Sequence, residues 1–231
     1  MPFYYYGYDP TYILVIIAFL LSAFASFGVN ATFSRYKKVH NTRGLTGADA
    51  ARRILDANGL SHVRIEHVSG QLSDHFDPKS NVVRLSDVTY SDTSVGAIGV
   101  AAHECGHAIQ YATNYAPIKL RNSIVPVVNI GNTLSMPLFF IGLLMGMYNL
   151  ALIGAGLFGI VLVFQLITLP VEFNASRRAI RILDDTDLLD RQEIKGSKKV
   201  LTAAALTYVA AVAATALQLL RLLLIVYRRR D

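Results

Sequence analysis

The chain has 231 residues; 53% are hydrophobic, 16% are charged, and the net charge is +6 at neutral pH. So apolar a chain is not disordered, and its apolar residues gather in four runs, at 12–29, 124–147, 150–171 and 200–227, which excludes an ordinary soluble domain. The basic excess does not point to nucleic acid: Arg35, Lys37, Lys38 and Arg43 follow the first run and Arg228, Arg229 and Arg230 the last, the flanking pattern that orients membrane helices.

Residues 1–29 read as an N-terminal tail and a first transmembrane helix, long enough at about 1.5 Å per residue to cross roughly 30 Å of hydrocarbon. Ala23-Phe24-Ala25 resembles a signal-peptide cleavage site, but no Lys or Arg precedes the run, so an uncleaved anchor is expected. The basic cluster from Arg35 to Arg43 contains no acid and places the following chain in the cytoplasm. A single cysteine, Cys105, forms no intrachain disulfide and suits that compartment. Tyr4, Tyr5, Tyr6, Tyr8 and Tyr12 read either as an aromatic belt at the outer interface or as a disordered tail.

Residues 30–123 form the main polar domain. Residues 45–60 predict a helix with Thr46 as N-cap and Asp49 at the third position, and with Ala50, Ile54 and Leu55 at helical spacing. Alternation at 63–68 predicts a strand and 81–86 a second. The stretch between them, carrying Pro78, reads as a turn, so a small antiparallel sheet is expected. Residues 91–113 predict a helix capped by Ser91 or Asp92. Residues 124–171 read as a transmembrane hairpin turning near Tyr148-Asn149, with Pro126 and Pro137 tolerated inside it. Residues 172–199 are polar. Residues 200–231, a last membrane helix and basic tail, carry Arg221 inside the apolar run and charge at both ends. A spanning helix is expected there, with an interfacial helix as the alternative.

The sharp chemical signal is His103-Glu104-Cys105-Gly106-His107. Two histidines four apart share one helical face and can hold one metal ion, while the offset Glu104 can serve as proton acceptor beside it. With this composition the pattern arises by chance only about 0.003 times per chain. Two surface histidines with a salt-bridged Glu would be the bland account, but the small apolar residues before the motif predict a buried helix, in which such groups need partners. Cys105 points to the opposite side and is no ligand. All six histidines (His40, His62, His67, His75, His103, His107) precede residue 108, so a carboxylate is the natural third ligand. Glu172, at the end of an apolar run, is the first candidate, and Ala175 and Ala179 on its face would let two helices approach; Asp184, Asp185 and Asp187 are alternatives. Ser176 can support a ligand by a hydrogen bond or be an inert helix serine. His75 can donate to an oxyanion or be a solvated loop residue; Tyr111 and Tyr115 can serve likewise or pack.

On these residues the chain resembles the YugP-type membrane neutral zinc metallopeptidases of bacteria. The resemblance runs through residues 9–13, 74–78, 81–86 and 103–107 to Glu172-Phe173-Asn174-Ala175-Ser176-Arg177-Arg178-Ala179. The last stretch is similar to the Glu-bearing helix of the wider gluzincin group, which includes the HtpX and CAAX prenyl proteases. The resemblance implies one Zn²⁺, with His103, His107 and Glu172 as ligands and Glu104 as base. Those wider relatives usually carry Asp where this chain has Ser176.

The expected fold is therefore mainly α with a small antiparallel sheet (α+β), a multi-pass membrane protein with a gluzincin-like zinc peptidase domain at 30–123 facing the cytoplasm of a bacterial plasma membrane. The expected partners are the lipid bilayer and a polypeptide substrate, such as membrane protein, with 81–86 as an exposed strand for substrate pairing. Two rival readings are an adaptor with a structural zinc site, and an intramembrane protease, whose Leu-Asp-Gly signature has here only Leu183-Asp184-Asp185 as a counterpart, in a polar context.

Overall fold

A computed structural model describes residues 9–228. Tyr4, Tyr5, Tyr6, Tyr8, Arg229 and Arg230, and the belt and tail roles expected of them, lie outside the described residues. The elements run α1 (Tyr12–Tyr36), α2 (Gly47–Ala57), β1 (Arg64–Val68), β2 (His75–Asp77), β3 (Val82–Ser86), α3 (Val95–Ala112), α4 (Ala116–Leu144), α5 (Tyr148–Asp185) and α6 (Arg191–Arg228). The fold is mainly helical, and α1, α4, α5 and α6 are long and apolar enough to cross a membrane. On α1, Phe19, Phe24 and Phe27 are 68%, 80% and 74% exposed; in water such a surface would be costly, whereas lipid suits it.

The chain divides into two compact units. One holds, among the described residues, 9–24, 123–166 and 209–228. Its core is Phe139, Ala151, Ala155, Leu222 and Val226. Here α4 and α5 touch through small residues: a β-carbon on Gly142 would collide with the Ala151 backbone. The hairpin turns at residues 145–147, where Gly146 has φ +68°, just before the expected Tyr148-Asn149. Arg221, the charge inside the last apolar run, lies over the Tyr12 ring at 4.6 Å, which gives the guanidinium a partner away from water.

The other unit holds residues 25–122 and 167–208. Its core joins Ile54 and Leu55 of α2, Val83 and Leu85 of β3, Ile98, Ala102 and Cys105 of α3, and Leu183 of α5. Helix α2 has the expected capping box: Thr46 Oγ1 accepts from the Asp49 N–H at 3.1 Å, and the Asp49 carboxylate accepts from the Thr46 N–H at 3.0 Å.

Four local expectations are corrected. The sheet is mixed, in the order β1-β3-β2, with β1 parallel and β2 antiparallel to β3. His75–Asp77 is a strand and not part of the turn; it reverses the chain once more, so β1 and β3 end up pointing the same way. As the central strand, β3 has both edges paired and cannot receive a substrate strand; the sheet's edge strands are β1 and β2. The cap of α3 is Ser94, whose Oγ accepts from the Ala97 N–H at 3.2 Å, while Asp92 instead accepts from the Ser94 N–H at 2.7 Å.

Candidate metal centre

Helix α3 is buried along most of its length because Gly96, Ala97, Gly99, Ala101, Ala102 and Ala108 let its neighbours come close. Ser197 of α6 donates to the Val95 carbonyl at 2.7 Å and packs against Gly99. Ala175 of α5 packs against Gly106, where a β-carbon would stand 2.7 Å from the Ala175 oxygen. These contacts carry the Glu172 side chain to the two imidazoles of α3.

His103 Nε2 and His107 Nε2 are 3.2 Å apart. Glu172 Oε2 lies 3.3 Å from the first and 3.7 Å from the second. Ligand atoms about 2.0–2.2 Å from a tetrahedral Zn²⁺ stand about 3.3–3.6 Å from one another, so the three spacings fit one ion. Among the described residues these three side chains are the one trio of His, Cys, Asp or Glu whose ligand atoms converge in this way, all within 4.8 Å. The alternatives Asp184, Asp185 and Asp187 are not part of it; Asp184 lines a separate groove with Arg177 and Arg181.

The donor set tests whether a cation belongs here. Gln110 Nε2 donates to the Val171 carbonyl at 2.8 Å and to Asn174 Oδ1 at 3.0 Å, so its Oε1 accepts from His107 Nδ1 at 3.0 Å. The proton on Nδ1 leaves the Nε2 lone pair facing the centre. His103 Nδ1 is held at 3.1 Å by Ser176 Oγ. Glu172 is 3% exposed and its Oε2 has no hydrogen-bond partner. Lone pairs converging on one buried point repel each other unless a positive charge stands between them. Burial disfavours a charged His107, but Glu172, Glu104 and Gln110 outweigh it and hold its pKa above the ordinary value.

Two cavities flank the centre, and Glu104, 8% exposed, borders both. The first, ≈ 210 Å³, is walled mostly by apolar groups, among them Val29, Phe33, Val100, Leu201 and Ala204. The second, ≈ 200 Å³, is more polar and is bordered by His75, Phe76, Tyr111 and Arg121. His75 is on β2 and not on the turn, and its side chain is exposed to solvent. Its Nδ1 donates to the Ser73 carbonyl at 2.8 Å, so in the neutral ring Nε2 has no proton to offer; that atom faces Arg84 Nη1 at 3.5 Å. Tyr115 lies under the Arg178 guanidinium at 5.9 Å. Cys105 is in the core, its Sγ 3.6 Å from the Ala51 carbonyl, and burial pushes its thiol pKa up, with Glu104 adding to the rise.

Three residues at this site could not be singled out from sequence. Gln110 is fully buried and ties α3 to α5. Asp74 borders both cavities and accepts from the Ser86 N–H and hydroxyl, each at 2.8 Å. Tyr208 of α6 also borders both and faces the Glu172 carboxylate. The only signals were a Gln three residues after the second histidine, an Asp opening 74–78, and a tyrosine in an Ala-rich apolar stretch; none names a partner.

Set beside known proteins, residues 11–227 match the family described as "Putative neutral zinc metallopeptidase". The chain is 48% identical over 218 residues to the "Putative membrane protease YugP" of Bacillus subtilis (strain 168), an alignment covering 94% of this chain and 97% of that protein. No solved structure matches it. A family match from residue 11 to residue 227 takes in every membrane-length helix together with both halves of the converging trio, and on that extent the chain belongs to the neutral zinc metallopeptidases, as a membrane zinc metallopeptidase.

Proposed function

We propose that the chain is an endopeptidase of the bacterial plasma membrane, cutting polypeptide at the cytoplasmic face, with His103, His107 and Glu172 as the protein ligands of one Zn²⁺ and Glu104 as general base. The observation that carries this reading is the meeting of three ligand atoms from α3 and α5 at 3.2–3.7 Å, with a second carboxylate, Glu104, beside them and outside the cluster. Bound there, zinc supplies Lewis acidity that polarises the scissile carbonyl and brings the pKa of water toward about 7.

The chain's own groups do the rest. Gln110 and Ser176 hold the two rings with their Nε2 atoms inward. Glu104 takes the proton of the attacking water on its carboxylate and passes it to the departing amine nitrogen. Tyr208, which borders both cavities, is the donor for the charge that develops on the carbonyl oxygen; the His75 tautomer leaves that residue to line the substrate path. An extended substrate pairs with the outer edge of β2 next to the ≈ 200 Å³ cavity and places an apolar side chain in the ≈ 210 Å³ cavity. Arg35 in the last turn of α1 and Lys37, Lys38 and Arg43 after it support the cytoplasmic orientation.

The test is a pair of variants. Glu104→Gln should keep bound zinc and lose about 10²–10⁴-fold in peptide cleavage, whereas Glu172→Gln should lose the zinc itself. Unchanged cleavage by Glu104→Gln would remove the general base and with it the hydrolytic mechanism. For orientation, Lys79→Cys should react with an impermeant maleimide in inverted vesicles and not in intact cells; the reverse pattern would turn the protein around.

A further inference from the structure

A second site lies away from the metal centre, where the end of α1 meets the start of α6. It is a groove of ≈ 870 Å³. Arg35 enters it from α1, and Lys195, Lys198 and Lys199 from α6. No Asp or Glu lines it, and among the described residues none of the four cations is in an ion pair. Gathering four like charges around one concavity costs repulsion that no lining carboxylate offsets, although Arg35 lies over the Tyr36 ring at 5.7 Å and Lys198 also borders the groove that holds Asp184.

The lining is graded along the helices. On α6 the cations occupy residues 195–199, and Ala203 and Leu206 follow one and two turns on, inside the apolar run. Lys195 to Leu206 spans about 16 Å of helix at about 1.5 Å per residue, against roughly 6 Å for one headgroup layer, so the remainder lies along hydrocarbon. The cationic end thus sits where both helices leave their apolar runs. A free phosphate would use only that end. An amphiphile with an anionic head and acyl tails would use the whole length.

We infer that this groove is a binding site for an anionic phospholipid, its phosphate held by Arg35, Lys195, Lys198 and Lys199 and its chains laid against Ala203 and Leu206. Lys38 and Arg43 carry the same charge nearby in the chain but do not line the groove, which separates a built site from the general basic flank of a membrane helix. The site is independent of the peptidase mechanism.

The experiment uses the full chain in an uncharged detergent, titrated with phosphatidylglycerol or phosphatidylcholine and read by native mass spectrometry. Phosphatidylglycerol should bind about tenfold or more tightly than phosphatidylcholine. Lys195→Gln/Lys199→Gln should weaken it about 25-fold, roughly fivefold per cation, and Lys195→Arg/Lys199→Arg should retain it. Lys38→Gln/Arg43→Gln should change it by less than about twofold. Inorganic phosphate in large excess should leave most of the lipid bound. Equal binding of the two lipids by the wild-type chain would overturn the inference, whatever the variants do to folding. So would an equal loss in the control pair, or full displacement by phosphate, which would make the groove a phosphate site.

Discussion

Gly106 on α3 faces Ala175 on α5 so closely that a β-carbon at position 106 would stand 2.7 Å from the Ala175 oxygen. The obstacle is backbone and not the tip of a flexible side chain, so the helices must part to admit even a methyl group. Since Ala175 is three residues from Glu172, the separation of the two helices and the reach of the carboxylate toward the imidazoles are one quantity.

Gly106→Ala should therefore cost about 1–3 kcal/mol of stability and, separately, weaken zinc binding about tenfold or more. Thermal unfolding with and without zinc distinguishes the two effects. A variant that binds zinc as tightly as the parent would show that α5 is not held by this contact.

Gln110 donates across to the Val171 carbonyl while accepting from His107, so one amide both orients a ring and ties down the helix that carries Glu172. Gln110→Leu should reduce zinc affinity about 10–100-fold, measured by competition with a chromophoric chelator. Ser176→Ala should act in the same direction and less strongly. Ser176→Asp should restore or tighten binding, because a carboxylate is the stronger acceptor for the His103 Nδ1 proton.

Asp77 closes the turn into β3. Its carboxylate accepts from the Ser80 hydroxyl, from Arg84 Nη1 at 2.9 Å and from the Lys79 N–H at 2.9 Å, and these hold its pKa well below the usual carboxylate range. A depressed folded-state pKa contributes stability that is fully present above the unfolded value of about 3.9 and is lost as pH falls toward the folded one. Asp77→Asn should lower stability at neutral pH and flatten the acid limb below about pH 4, a pattern denaturant titrations across that range would reveal.

Cys105 is fully buried and its thiol pKa is raised, burial being the main cause. Both features suppress the thiolate that alkylating reagents need. Iodoacetamide should leave the native protein unmodified and label it after unfolding, as mass spectrometry would record. Labelling of the native chain would place residue 105 outside the core.

Features that depend on neighbours in the chain were legible in advance. The Thr46–Asp49 capping box is complete within four residues, the four apolar runs announce their helices by length, and two histidines one helical turn apart must share a face. Glu172 could be singled out because a carboxylate ending an apolar run needs a reason to be there. Strand β2 was invisible: three residues show no periodicity, and without it the directions of β1 and β3 could not be assigned.

What local pattern determined by itself is the set of membrane-length helices and the shared face of His103 and His107 on α3, because hydrophobic length and helical spacing act within a few turns of chain. What only the tertiary structure decided is how the site is assembled. Gln110 finds Val171 61 residues away, Ser176 finds His103 73 residues away, and Tyr208 arrives from the last helix. Such pairings are set by how closely small residues such as Gly106 and Gly99 let helices pack, and packing distance is a property of the folded pair, not of either sequence segment.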